Sequence, residues 1–517
     1  MNTRRYLFLL MLSVSVLLGF TSGHGQTISA TDSTSCNTTA WPYELSELEP
    51  HPDMFFGRLD NGFRYILLKN QHPKGRTAVL LNVNAGSLHE EFSENGIAHF
   101  LEHMLFNGST HFEPGELVDF FQDIGMSFGG DTNAYTTYED TVYKIILPTS
   151  DREMLGDGLL VMSDYARGAL LEQTEIDRER GVILSEMNER GTASFRSYKA
   201  RTRFSFDGTL LPQRFTIGRK NVLERVGRKE LKRFYDKWYR PENMVLVMVG
   251  DFDRAISESL IEERFAVMQG ADETFTCPDY GLVDHDGIKS FFHHEPELGY
   301  STVSIEIVKN ITPENDSFSY QVQNLHRYMA ARIINFRLEQ ELELPDSVLS
   351  SGRFYFGSTL DRFHQSAIIA QTAGENWREA LAVLNRIVNQ AIEFGFTVEE
   401  TEMVKNELTS HLRRAVQTKG SQNSLNLANN IVNSINSNRV FQSAEQEKDL
   451  YTQPILQTTA AELHQVVREE WQADMRLVAV IGDAEISGDD PTAVIKKHYL
   501  ALQQLEVISR VDEKIPS

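Results

Sequence analysis

The sequence predicts an α+β protein made of two homologous domains, each a mainly antiparallel sheet packed with helices. The chain has 517 residues, whereas a single hydrophobic core stops growing at roughly 250–300 residues. A helix–turn–strand segment occurs twice at a domain-sized spacing, which indicates a duplication. Strand-like runs joined by hairpin signals are also mixed with helical runs, as is typical of an α+β fold.

The first 26 residues have the pattern of a secretory signal peptide. Arg4 and Arg5 precede an apolar run at residues 6–20, and the small residues Gly23 and Gly25 follow it. The run is shorter than the roughly 20 residues of a membrane span, although a retained signal anchor is an alternative. We therefore expect an exported protein, periplasmic or secreted, with no stable membrane span after signal removal and a flexible leader at residues 27–50.

In the first half, two short runs flank Asp60-Asn61-Gly62, a strong hairpin signal. The run TAVLLNVNAGS predicts a strand, and a helix, a second helix (GELVDFFQDIG) and another strand (TVYKIILP) follow. Helices then dominate from Arg152 to about Tyr198. The second half has a similar order with longer helices, and turn formers near residues 270–290 separate the halves. We place the two domains at residues 51–272 and 285–510.

The repeat itself lies at the end of each half. The segment RKELKRFYDKWYRPENMVLVMVGDFD of the first half resembles AAELHQVVREEWQADMRLVAVIGDAEI of the second, at an offset of 232 or 233 residues. The matched residues are Glu230 and Glu462, Leu231 and Leu463, Trp238 and Trp471, and Gly250-Asp251 and Gly482-Asp483. Each copy predicts a helix, a turn and a buried strand that ends at Gly-Asp.

Charge and cysteine content exclude several classes of function. The net charge of -23 argues against nucleic-acid binding, which requires clustered Lys and Arg. The two cysteines, Cys36 and Cys277, cannot form a cysteine-rich zinc site or a disulfide framework. Export would permit a disulfide between them, but Cys36 lies in the leader that we expect to be flexible.

The segment AHFLEHMLFNGS carries the strongest chemical signal. On a helix, His99, Glu102 and His103 project from one face, because residues three and four apart are neighbours. Two imidazoles at this spacing can bind one Zn²⁺, and Glu102 lies close enough to take a proton from a zinc-activated water. Histidines buried in a core without any metal are the alternative. Two histidines and a glutamate on a buried, apolar helix are costly without a partner, and this favours the metal site.

A catalytic zinc usually has three protein ligands, so a third must come from elsewhere. Glu179 and Glu186, in EIDRERGVILSEMNER, are seven residues apart and lie on one face of a predicted helix. Spacing alone does not distinguish the two glutamates from each other or from a solvated helix surface.

These segments resemble the insulinase/pitrilysin family of zinc peptidases, the inverzincins. ENGIAHFLEHMLFNGS is similar to the active-site helix of that family, and TNAYTTYEDTVYKIILP to its substrate-binding strand region. RERGVILSEM is similar to the helix with the third ligand, and YRPENMVLVMVGDFD to the strand that closes the first domain. The four segments occur in the expected order, and duplication into two α+β domains is also a property of the family.

The resemblance implies a role for each zinc-site residue. His99, His103 and Glu186 would bind one Zn²⁺ per chain, although other transition metals could occupy such a site. Glu102 would be the general base, and Glu179 a second catalytic carboxylate that orients a ligand or supports the base.

Substrate binding is implied at Asn133 and Ala134, which match the Asn-Ala pair of the family, and we expect it also at the next residue, Tyr135. In this fold a peptide adds as a strand to a sheet edge. The expected substrates are short, unfolded peptides, and the expected reaction is endopeptidase cleavage in the cell envelope.

One element of the family pattern is absent from the sequence. Family members have an Arg, and a Tyr seven residues later, on a zinc-free domain that faces the zinc. Here Glu343 and Ser350 stand at those positions, in RLEQELELPDSVLS. We therefore expect a second two-domain half that supplies the pair, as a separate subunit or the remainder of a longer chain, rather than a homodimer. The alternative is a zinc-binding but catalytically silent subunit of a peptidase complex.

Overall fold

The computed structural model describes residues 39–127, 129–270 and 278–510. The expected signal peptide at residues 1–26 lies outside the described residues, as do Cys36 and Cys277 and therefore any disulfide between them. Within the described residues, no helix is both long enough and apolar enough to cross a membrane.

Strands of the first half form a six-stranded sheet with the order β1-β2-β6-β3-β5-β4. Its strands are β1 (Met54–Arg58), β2 (Arg64–Lys69), β3 (Thr77–Val83), β4 (Thr132–Thr136), β5 (Thr141–Leu147) and β6 (Met244–Gly250). The β2–β6 pair is parallel and the other pairs are antiparallel. The expected hairpin joins β1 and β2, with Gly62 at φ +87° in its turn. Strand β4 lies at an edge.

The second half forms a five-stranded sheet with the order β7-β11-β8-β10-β9. Its strands are β7 (Ile288–His294), β8 (Ser301–Asn310), β9 (Leu349–Thr359), β10 (Phe363–Thr372) and β11 (Arg476–Gly482). Here β7 and β11 are the parallel pair and the remaining pairs are antiparallel. The two orders correspond strand for strand from β2 to β4 and from β7 to β9, so the prediction of two homologous, mainly antiparallel α+β domains is confirmed.

Helices cover both sheets. Those of the first half are α1 (Ile97–Met104), α2 (Glu116–Asp123), α3 (Arg152–Arg167), α4 (Gln173–Glu189), α5 (Ala193–Ser205), α6 (Lys220–Leu223), α7 (Arg228–Trp238) and α8 (Arg254–Phe265). Those of the second half are α9 (Phe318–Leu342), α10 (Trp377–Phe394), α11 (Val398–Thr418), α12 (Ser424–Asn436), α13 (Ala444–Gln457), α14 (Ala460–Trp471) and α15 (Pro491–Leu502). The repeated segments are α7 with β6 and α14 with β11. Their matched leucines, Leu231 and Leu463, are both fully buried.

The two halves exchange one helix each. Helix α12 of the second half packs on β3 and β6 of the first sheet, where Ile431 and Val432 contact the outward-facing valines and leucines of those strands. Helix α5 of the first half packs on β7 and β11 of the second sheet, where Phe204 stacks on Phe291 at 4.8 Å between ring centroids. Each sheet therefore has one face covered by helices of its own half of the chain, and part of its other face is covered by a helix of the other half.

The end of the expected leader differs from the prediction. Residues 39–50, which we assigned to a flexible leader, lie against the first sheet, and Trp41 and Leu48 are buried. The Arg64 guanidinium lies 5.1 Å from the centre of the Trp41 ring. An aromatic side chain buried in this way anchors the segment, a contact that the polar composition of the leader does not indicate.

Candidate active site

Helix α1 is buried almost all round, because it carries large apolar side chains on every face that the site does not use. Gly96 precedes the helix at φ +103°, a conformation that glycine adopts at little cost. The buried Glu90 carboxylate accepts hydrogen bonds from the backbone N–H of Gly96 (2.9 Å) and of Ala98 (3.0 Å). Glu90 thus satisfies two of the N–H groups that a helix N-terminus leaves without partners.

The three expected ligands, His99, His103 and Glu186, converge on one point. The His99 Nε2 and His103 Nε2 atoms lie 3.6 and 3.4 Å from the same Glu186 oxygen, and the three ligand atoms lie within 4.8 Å of one another. Helix α4 brings Glu186 to this point by packing against α1. The described residues contain no other such group of three His, Cys, Asp or Glu side chains.

The geometry of the three atoms fits a metal better than a hydrogen-bonded cluster. Both N···O distances exceed the roughly 2.7–3.2 Å of N–H···O hydrogen bonds. Ligands about 2.0–2.1 Å from a tetrahedral Zn²⁺ stand roughly 3.3–3.4 Å apart, close to the observed separations. Two imidazoles and one carboxylate are also a common donor set for catalytic zinc. His99, His103 and Glu186 could therefore hold a zinc ion between them.

Glu179 lies on the far side of the His103 ring. Its Oε1 is 2.8 Å from His103 Nδ1, and its Oε2 accepts a hydrogen bond from the Asn107 side-chain amide at 3.1 Å. The same amide donates to the His103 carbonyl at 3.0 Å. A carboxylate on Nδ1 fixes the tautomer in which Nε2 is free to bind a metal. Glu179 and Glu186, which the sequence could not distinguish, thus occupy different positions.

Burial and neighbouring charges perturb the ligands in opposite directions. Burial, with a smaller contribution from His103, lowers the pKa of His99 to about 4. Burial also acts to lower the pKa of His103, but the neighbouring carboxylates of Glu179 and Glu186 outweigh it and raise that pKa to about 9. The contact with His103 lowers the pKa of Glu186 to about 2. The carboxylates thus stabilise a positive charge at this position, whether a proton on His103 or a bound cation supplies it.

Glu102 is adjacent to the ligands and is buried. One of its oxygens, Oε2, accepts a hydrogen bond from the Thr136 hydroxyl at 2.6 Å. Burial raises the pKa of Glu102, and the Thr136 hydrogen bond partly opposes this effect. A buried carboxyl with a raised pKa is suited to accept and then release a proton near neutral pH.

The expected substrate-binding residues lie on β4, the edge strand next to α1. Asn133 and Tyr135 are exposed and Ala134 is half-buried, and all three lie on a strand that contacts α1 and has one unpaired edge. An unpaired edge strand presents N–H and C=O groups with which an extended peptide can pair.

The second half contains no counterpart of this site in the residues that the structure describes. The stretch ARIINFR, 232 residues after the His99 segment, lies within α9, and Ile333 and Ile334 are fully buried there. Glu343 caps the end of α9 and Ser350 is on edge strand β9, both exposed. Buried Arg337 is used structurally, because its guanidinium bonds the Glu400 carboxylate at 2.8 Å.

Several residues of the site were missed by the sequence analysis. They are Glu90 at the start of α1, Asn107 on Glu179, Thr136 on Glu102, and Arg190, whose guanidinium is 2.5 Å from Glu186 Oε1. Thr136 belongs to the same segment as Asn133 and could have been suspected for that reason. The others had no signal of their own beyond their polarity.

The duplicated α+β fold and the cluster of His99, His103 and Glu186 define the class of protein with which this chain can be compared. Residues 65–199 match the family described as insulinase (peptidase family M16), and residues 225–408 match the domain described as the peptidase M16 inactive domain. Together these matches cover more than half of the chain. The chain therefore belongs to the insulinase (M16) family of peptidases.

The chain is similar to individual members of the family as well. It is 29% identical over 419 residues to the probable zinc protease PqqL of Escherichia coli K12, an alignment that covers 80% of this chain and 44% of that protein. Its fold matches the crystal structure of the first half of the periplasmic protease PqqL from Escherichia coli with a TM-score of 0.82, and the two sequences are 25% identical. That match covers 89% of this chain and 99% of the other.

The full-length PqqL structure shares the fold, with a TM-score of 0.83 at 24% identity. Here 91% of this chain aligns with 52% of the other. The chain thus spans about half the length of the full-length relatives that it matches.

Proposed function

We propose that this chain is a zinc-dependent endopeptidase in which His99, His103 and Glu186 bind one Zn²⁺ and Glu102 is the general base. The observation that carries the proposal is the convergence of the three ligand atoms beside the Glu102 carboxylate. The two PqqL relatives carry the name probable zinc protease, which supports the proposal.

Each residue would have a distinct task. A zinc ion bound here supplies Lewis-acid chemistry, since it lowers the pKa of water to roughly 7 and polarises a carbonyl. Glu102 would take the proton from the attacking water and pass it to the leaving amine. Glu179 would hold the His103 ring, as second carboxylates do for ligating histidines.

The substrate would bind as an added strand on β4. Main-chain hydrogen bonds to residues 133–135 would align an extended peptide with the ligand cluster, and the backbone of a folded protein is not free to pair in this way. We therefore propose short, unfolded peptides as substrates. The signal-peptide pattern at residues 1–26 and the periplasmic location of PqqL support action in the cell envelope.

An additional two-domain half, distinct from the two halves of this chain, would complete the site. Exposed Glu343 and Ser350 stand where the family has its Arg and Tyr, and the full-length PqqL structure is about twice as long as the part that this chain matches. The additional half would place an Arg/Tyr pair opposite the zinc, where positive charge and a hydroxyl can stabilise a developing oxyanion.

Glu343 and Ser350 also favour a second candidate function. A chain that binds zinc but lacks the pair could serve as a silent subunit whose role is assembly. This candidate predicts full zinc content without peptide turnover, and it predicts that changing Glu102 has no functional effect.

The experiment compares three glutamine variants of the chain from which the expected signal peptide, residues 1–26, has been removed. Glu102→Gln should abolish cleavage of a quenched peptide mixture while zinc content stays near one per chain. Glu186→Gln should instead lose zinc, because the site keeps only two ligands. Glu189→Gln is the matched control, since Glu189 is exposed on the same helix three residues from Glu186.

Each variant has a result that contradicts its assigned role. Turnover retained in Glu102→Gln would refute the general base, and full zinc occupancy in Glu186→Gln would refute the third ligand. A zinc-loaded parent chain that shows no turnover even when the additional two-domain half is present would establish the silent-subunit function instead.

A further inference from the structure

The hydroxyl of Thr136 makes the shortest polar contact of the proposed base. Its Oγ1 lies 2.6 Å from Glu102 Oε2, within the range of charge-assisted O–H···O⁻ hydrogen bonds. An ionised carboxylate has no proton to give. Thr136 is therefore the donor and Glu102 the acceptor whenever Glu102 is ready to act as a base.

The surroundings leave Thr136 no equally good alternative acceptor. The neighbouring Thr141 Oγ1 is 3.4 Å from Thr136 Oγ1, and Thr141 donates its own proton to the Ala85 carbonyl at 2.8 Å. Thr141 is buried on β5, directly opposite Thr136 in the antiparallel pair. The single Thr136 proton is thus directed to Glu102 by a fixed neighbour on the adjacent strand.

The two oxygens of Glu102 are consequently not equivalent. Oε2 is engaged by Thr136, whereas Oε1 accepts no hydrogen bond from any residue that the structure describes. A carboxylate that is fixed at one oxygen presents the other in a defined direction. Proton transfer would therefore pass through Oε1.

Thr136 also belongs to the strand that would bind substrate. It follows Asn133, Ala134 and Tyr135 on β4, so a peptide paired with this strand has a fixed position along the chain relative to Thr136. The hydrogen bond from Thr136 then connects the strand that aligns the peptide to the group that acts on it.

We propose that Thr136 is a positioning residue that orients Glu102 and links the base to the substrate strand. The proposal rests on the proposed function, since it assumes that Glu102 is the base. Thr136 itself would touch neither the zinc nor the scissile bond.

The test uses Thr136→Val, which keeps the branched shape and removes the hydroxyl, and Thr136→Ser, which keeps the hydroxyl. Loss of one hydrogen bond to a charged group should lower kcat of the zinc-loaded chain by roughly 10- to 100-fold. The additional two-domain half is included in the assay if turnover requires it. KM and zinc content should stay near the parent values, and Thr136→Ser should stay within about threefold of the parent. Thr132→Val is the matched control, because Thr132 is on the same face of β4 and donates no hydrogen bond to Glu102.

A second readout does not depend on turnover. A phosphinic peptide imitates the tetrahedral geometry of peptide hydrolysis, and its acidic oxygen shares a proton with the base. Its Kd, measured by calorimetry on the zinc-loaded chain, should rise about tenfold or more in Thr136→Val and stay unchanged in Thr132→Val.

The outcomes separate this proposal from the function beneath it. A parent chain without turnover even when the additional two-domain half is present would count against the peptidase function, while the phosphinic peptide would still report on Thr136. A kcat in Thr136→Val within twofold of the parent, or an unchanged Kd for the phosphinic peptide, would overturn the positioning role. A raised KM at unchanged kcat would also overturn it, because Thr136 would then act in binding and not through Glu102.

Discussion

At the scale of single residues, His103 has the most contacts in the site. Its Nδ1 faces Glu179, its Nε2 faces Glu186, and its ring lies 4.7 Å from that of His99. Two carboxylates on one imidazole hold a proton there in the absence of metal, which explains why the pKa of His103 is raised to about 9. In the proposed function, a zinc ion would compete with this proton for Nε2.

Zinc affinity should therefore depend on pH in a defined direction. Below about pH 9 zinc must displace one proton from His103, so its apparent affinity should fall about tenfold for each unit by which the pH is lowered. Above the pKa of His103 the dependence should flatten. Competition against a zinc-binding dye of known pH behaviour, between pH 6 and 10, measures this slope. An affinity that is constant over this range would show that no proton is displaced from His103.

The residues of the site differ in how far the sequence could predict them. His99, Glu102 and His103 are four residues apart at most, so helical geometry alone places them on one face. Glu186 is 83 residues beyond His103, and spacing could not choose between it and Glu179; the family resemblance made that assignment. Thr136 could not be predicted, because its contact depends on how β4 crosses α1. The roles of all these residues stay predictions until the variants are measured.

At the scale of elements, α1 depends on a residue outside it. The buried Glu90 carboxylate bonds two N–H groups in the first turn, eight residues or fewer along the chain. Arg214 donates from its Nε to the Glu90 carbonyl at 3.2 Å and fixes the Glu90 backbone in turn. Sequence patterns for helix starts look for a capping side chain directly before the helix, where this chain has glycine.

Glu90→Ala should therefore lower both stability and zinc affinity. Two buried N–H groups would lose their acceptor, at a cost of roughly 1–3 kcal/mol each. Glu90→Gln is the matched comparison, because its amide oxygen can still accept one of the two hydrogen bonds, and its loss should be smaller. Denaturant unfolding with a zinc titration measures both effects. If Glu90→Ala unfolds at the parent midpoint and binds zinc normally, Glu90 does not support α1.

At the scale of the whole molecule, the exchanged helices α5 and α12 occupy corresponding places in the two halves. They begin at Ala193 and Ser424, close to the offset of the sequence repeat. The repeat predicted two homologous domains, and the structure confirms them. The exchange could not be predicted, because an apolar face on a helix shows that the helix is covered without showing which sheet covers it.

Ile431→Ala on α12 should weaken the first sheet although Ile431 belongs to the second half. Truncating a fully buried isoleucine costs roughly 2–5 kcal/mol. Amide hydrogen exchange should quicken in β3 and β6 of the variant. Val404→Ala on α11 is the control, since Val404 is fully buried in the core of the second half, and its effect should be confined to the second sheet. Unchanged exchange in β3 and β6 of Ile431→Ala would contradict the packing of α12 on the first sheet.

Helix α5 has a mechanical consequence for the metal site. It follows α4, which carries Glu186, after a short connection, and its Arg196 bonds the Glu295 carboxylate of the second half through two contacts of 2.7 Å. The same guanidinium donates to the Gly191 carbonyl within the connection. The α4–α5 corner thus connects the helix that carries Glu186, the proposed zinc ligand, to the second half of the chain. Any shift of the second half of the chain relative to the first would therefore move Glu186 relative to His99 and His103, and with it the spacing of the three proposed ligands.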